Sequence, residues 1–112
     1  MFAVAVALVL IPRVALAHAV LLQSMPAMNA TVDGPEVAVS MKFSLRVDGA
    51  RSTVLLNTSD GKSKPLAIDR QSSPDTLTTR ATNLTPGNYA IHWQVLATDG
   101  HVTRGEIPFH VK

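Results

Sequence analysis

From residue 18 onward the chain alternates apolar and polar positions in short stretches, and turn residues interrupt the alternation at fairly regular intervals. In "NYAIHWQVL", Tyr89, Ile91, Trp93 and Val95 fall on one face of an extended segment, and Ala90, His92, Gln94 and Leu96 on the other. "VAVSMKF" groups Val37, Val39, Met41 and Phe43 in the same way, and the last stretch turns Ile107, Phe109 and Val111 inward with His110 and Lys112 outward. Seven strands are predicted: Ala19 to Ser24, Glu36 to Phe43, Thr53 to Thr58, Lys64 to Asp69, Thr76 to Thr82, Asn88 to Leu96 and Glu106 to Val111. Asp33-Gly34-Pro35, Asp48-Gly49, Asp60-Gly61, Ser73-Pro74-Asp75 and Pro86-Gly87-Asn88 supply the turns between them. With no helix-period stretch of useful length, the pattern predicts an all-β sandwich or barrel, with Tyr89 and Trp93 in its core.

The length of 112 residues allows one domain. Its opening, "MFAVAVALVLIPRVALA", differs in composition from the rest and reads as a secretory signal peptide over residues 1–17, leaving a single domain over 18–112. Ala15 and Ala17 are the small residues of an A-x-A cleavage site. The competing reading, a membrane anchor, is weakened by a run short for a span and broken by Pro12 and Arg13. Cleavage after Ala17 has a chemical consequence: His18 becomes the first residue, and a free α-amine sits beside an imidazole.

Charge and cysteine content narrow the function. A formal net charge of +2, without a continuous basic run, gives no footprint for nucleic acid. Cysteine is absent, which excludes disulfides, thiolate metal sites and thiol nucleophiles. Any metal must be held by nitrogen, oxygen or thioether.

Of the four histidines, His92 and His110 occupy outward strand positions and read as solvated residues. His101 differs, because Asp99 precedes it by two positions, and residues i and i+2 of an extended segment point the same way. Taken alone, D-x-H is a weak motif, and Asp99-Gly100 also reads as a hairpin turn before a strand. An N-terminal His18 adds an amine-plus-imidazole chelate. With His101 it would make a three-nitrogen set joined by the Asp99 oxygen, the tetragonal nitrogen and oxygen coordination that Cu(II) prefers. Two histidines and a carboxylate also satisfy an Fe(II) facial triad by count, whereas zinc asks for a tetrahedral arrangement. Met25 and Met28, three apart, are possible thioether donors or packing residues, and Met41 is a core position.

Together the signal ending before histidine, "HAVLLQSMPAMNATV", "VSMKFS" and "LTPGNYAIHWQVLATDGHVTRGEIPFHV" resemble the CopC family of secreted copper-binding proteins. The resemblance covers nearly all of residues 18–112. It implies a cupredoxin-like, seven-stranded Greek-key β-barrel, a periplasmic monomer that binds one Cu(II) ion per chain for copper resistance or uptake. It implies His18, Asp99 and His101 as ligands, no catalytic activity, and work alongside a membrane copper protein of the CopD type. Two departures stand out: Leu45 occupies the place of a glutamate found near the Cu(II) site in some members, and "ARSTVLLNTSDGKSKPLAID" contains no methionine where others carry a methionine-rich Cu(I) loop. A Cu(II)-only protein is expected. Two rival readings remain open from the residues: a copper enzyme activating oxygen at an amine-plus-imidazole site, and a metal-free Ig-like interaction module.

Overall fold

The computed structural model describes residues 18–112; the predicted signal peptide lies outside them. Eight strands form two sheets: β1 (Leu21–Met25), β2 (Ala30–Val32), β3 (Val37–Phe43), β4 (Thr53–Thr58), β5 (Ser63–Leu66), β6 (Thr76–Ala81), β7 (Gly87–Leu96) and β8 (Val102–Val111). One sheet has the order β1-β3-β6 and the other β2-β8-β7-β4-β5, so the chain crosses repeatedly between two layers. The all-β sandwich expected from the alternation is what the chain forms.

All seven predicted strands are present, within a few residues of their expected bounds. The eighth is β2, three residues paired in parallel with the end of β8, Ala30 against Phe109 and Val32 against Val111. Strand β8 also begins four residues earlier than expected, at Val102 rather than Glu106. Gly105, just before the expected start, is a strand residue opposite Trp93. A Cβ at Gly105 would lie 2.2 Å from the indole Cζ2, so glycine is required there by the close approach of the ring.

The inward positions of both sheets meet in one core. Val37, Val39, Met41 and Phe43 of β3 face Ile91, Trp93 and Val95 of β7 and Ile107, Phe109 and Val111 of β8, all buried. Phe43 and Trp93 pack edge to face at 5.2 Å, a geometry favoured by the ring quadrupoles. Tyr89, expected in the core, is only half-buried because it stands near the start of β7. Its ring stacks on Phe109, and its hydroxyl donates to the Thr85 carbonyl at 2.7 Å, a corner contact that sandwiches use to fix the entry of a strand.

Candidate metal centre

The hairpin joining β7 to β8 carries the D-x-H element. Gly100 N–H donates to the Ala97 carbonyl at 2.9 Å and Ala97 N–H to the His101 carbonyl at 2.8 Å. With Gly100 at φ +91°, this is a three-residue hairpin loop closed by a residue in the left-handed region, where glycine is favoured. The segment after β3 braces the loop from the side: Thr98 N–H donates to the Arg46 carbonyl at 3.1 Å, and Val47 bridges Ala97.

Within this loop Asp99 grips His101 twice. One carboxylate oxygen, Oδ1, accepts the His101 backbone N–H at 3.0 Å, and Oδ2 lies 3.0 Å from the His101 ring Nδ1. Asp99 and His101 do converge, as their spacing suggests, but the cause is different. They meet through an Asx-type grip across a turn, and not through the alternation of a strand, since His101 precedes β8. The ring hydrogen bond, followed by the backbone N–H, holds the Asp99 carboxyl below its ordinary value of 3.8.

That separation suits a metal. Two donors bonded to one ion at about 2.1 Å and at right angles lie about 3.0 Å apart, whereas tetrahedral donors lie about 3.4 Å apart. Oδ2 and Nδ1 of the pair lie at hydrogen-bond distance, close enough for one ion to take both as neighbouring donors.

His18 approaches from the other sheet. Its ring centroid is 6.0 Å from that of His101, with the planes at 65°. Ala19, fully buried, anchors the segment beneath it. Ser44, directly after β3, fastens it further: its N–H donates to the Val20 carbonyl at 2.8 Å, and its Oγ accepts the Val20 N–H at 2.9 Å and contacts the His18 carbonyl at 3.4 Å. His18 itself is exposed and lines an open recess of about 520 Å³ with Val102, Thr103 and Arg104. Among the described residues no group of three or more carboxylate and histidine side chains is already close enough to hold an ion. The site is a formed pair with a third residue poised beside it.

Sequence reasoning had no means of finding Ser44, Thr103 or Arg104. Ser44 contacts the His18 carbonyl, and Thr103 and Arg104 share the recess with His18, at separations in sequence that leave no local pattern.

The other candidates lie elsewhere. His92 is in mid-strand on the outer face, its Nε2 3.3 Å from Glu106 Oε1, and His110 Nδ1 is 2.8 Å from Asn88 Oδ1. His92→Ala and His110→Ala are each expected to leave copper affinity within about threefold of the parent, well under the tenfold that 1.4 kcal/mol represents; a competition titration reads this directly. Met25 ends β1 on the side away from His18, and both Met25 and Met28 are exposed, whereas Met41 is buried as expected. Leu45 packs against the core and offers no donor.

Comparison with known proteins matches residues 21–112 to the CopC domain family. Protein YobA of Escherichia coli (strain K12) is 35% identical over 100 residues, covering 86% of this chain and 80% of that protein. Copper resistance protein C of Xanthomonas campestris pv. juglandis is 30% identical over 107 residues, covering 88% of this chain and 83% of that protein. Among solved structures, CopC from Methylosinus trichosporium OB3b superposes with a TM-score of 0.79 at 29% identity, covering 85% of this chain and 94% of the other. PcoC, a methionine-rich copper resistance protein from Escherichia coli, shares the fold with a TM-score of 0.68 at 23% identity, over 86% of this chain and 100% of the other.

Proposed function

This chain belongs to the CopC family, and from that premise we propose that it is a periplasmic carrier that binds one Cu(II) ion per chain through His18, Asp99 and His101. The observation that carries the reading is the Asp99–His101 pair, with donors 3.0 Å apart and the His18 ring alongside. His18 supplies the α-amine and one ring nitrogen once the preceding residues are removed, His101 supplies Nδ1, and Asp99 supplies Oδ2. Each Asp99 oxygen has more than one lone pair, so Oδ1 keeps its hold on the His101 backbone while Oδ2 binds the ion. The carboxylate offsets part of the metal's charge. A site open on one side suits cargo that must leave again, and delivery to a membrane copper protein of the CopD type follows from this role.

Acid should release copper before it unfolds the protein. Imidazole and amine nitrogens must be free of protons to bind the ion, and such nitrogens take up protons at higher pH than carboxylates do, so protons compete with the metal first. The folded state is sensitive to acid in a lower range. Asp60, Asp75 and Asp99 are held below their ordinary value of 3.8, chiefly by hydrogen bonds from Thr58, Thr76 and His101 respectively. A carboxyl depressed in the folded state stabilises it fully above its unfolded value, and that contribution is lost as pH falls through the depressed one. Copper absorbance and far-ultraviolet dichroism followed together on acidification are expected to change in two separate ranges. A single shared transition would mean that copper leaves because the fold is lost.

The decisive experiment is a Cu(II) titration followed by EPR on protein whose first residue is verified as His18. One equivalent with a tetragonal spectrum of nitrogen and oxygen donors supports the reading, and copper lost to a weak chelator overturns it.

A further inference from the structure

Two buried polar side-chain atoms lack any hydrogen-bond partner among the described residues: Trp93 Nε1 and Thr103 Oγ1. A buried polar atom left unsatisfied costs about 1–3 kcal/mol, so each calls for a physical account. They differ in what they can do. The indole nitrogen only donates, whereas a threonine oxygen can accept as well as donate. They also differ in place. Trp93 faces Gly105 in the core, while Thr103 lines the recess that holds His18.

The proposed chelate leaves an unmet need on the other side. When one ring nitrogen of His18 binds copper, the second carries a proton, and a metal-bound histidine nearly always donates that proton to an oxygen that fixes its ring. His101 binds through Nδ1 in that set, and its backbone N–H stays held by Asp99 Oδ1. Among the described residues the His18 ring has no side-chain acceptor, and the His18 carbonyl is engaged by Ser44.

We infer that Thr103 is a positioning residue for the copper site: its buried, unpartnered hydroxyl accepts the remaining ring N–H of His18 and sets the plane of that ring. This rests on the copper-carrier reading of the same site and adds to it a residue outside the ligand set. Thr103 is well suited to the task. It lies in β8, paired with Val95 in the core, so its backbone is fixed, and a β-branched side chain has few rotamers to lose. The ion itself never touches it.

The test compares Thr103→Val and Thr103→Ser in protein expressed from the full chain and verified by mass spectrometry to begin at His18. Valine keeps the shape and removes the oxygen, and serine keeps the oxygen. Thr103→Val is expected to bind Cu(II) about 10- to 100-fold more weakly, the range for losing such a partner, with an altered parallel hyperfine splitting in the EPR spectrum. Its thermal midpoint without copper should stay level or rise, because an unsatisfied buried hydroxyl is gone. Thr103→Ser should restore both affinity and spectrum. Parental affinity and spectrum in Thr103→Val overturn the inference alone, as does a Thr103→Ser that binds as weakly as the valine variant. A clear fall in the thermal midpoint of copper-free Thr103→Val also overturns it, since the hydroxyl would then serve the fold. A parent protein that binds no copper overturns the carrier reading, and this inference with it.

Discussion

Adding one residue in front of His18 is expected to weaken Cu(II) binding by about 10²- to 10⁴-fold, the range gained when two linked donors act as one. The α-nitrogen becomes an amide that no longer offers a basic lone pair, and only the ring remains of the chelate. The fold should be untouched, because the segment is held from Ala19 inward by burial and by Ser44. The chain still carrying residues 1–17 is the natural control and should bind as poorly as the extended protein. His101→Ala should do comparable damage from the other side, removing Nδ1 and releasing Asp99 from its ring contact. Competition against a chelator of known strength measures all three. Full affinity in the extended chain would remove the amine from the ligand set.

The largest effect on stability is expected at a glycine. Gly105→Ala places a methyl 2.2 Å from Trp93 Cζ2 and 2.5 Å from Cε2, distances at which something must move. The indole has little freedom to yield, since Phe43 packs edge to face against it and Trp93 is buried at the centre of β7. Overpacking of this kind costs about 1–3 kcal/mol, at the upper end where a ring is caught between two layers. Urea denaturation of copper-free protein reads the shift in midpoint. An unchanged midpoint would show that the ring has room the packing denies.

Alternation gave away most of this fold, because inward and outward positions differ so sharply along β3, β7 and β8. Strand β2 escaped it for a physical reason: three residues are too few to show a period, and their partner lies at the far end of the chain. The early start of β8 escaped because only the indole across the sheet explains why Gly105 belongs in a strand. For the site, the spacing of Asp99 and His101 was visible, but the grip that joins them depends on the hairpin geometry around Gly100. Thr103 was invisible altogether. Its interest lies in lacking a partner, and no sequence displays an absent hydrogen bond.

The placement of β8 also fixes when the molecule can come into being. It stands between β2 and β7, joining the first strand of its sheet to the rest, and it runs almost to the last residue of the chain. A polypeptide emerging from its N-terminus has no way to complete that sheet until β8 has been made, since β8 joins β2 to β7 and distant pairings form late and slowly. Before then β2 has no partner in its sheet, and the two layers close only when β8 arrives between them.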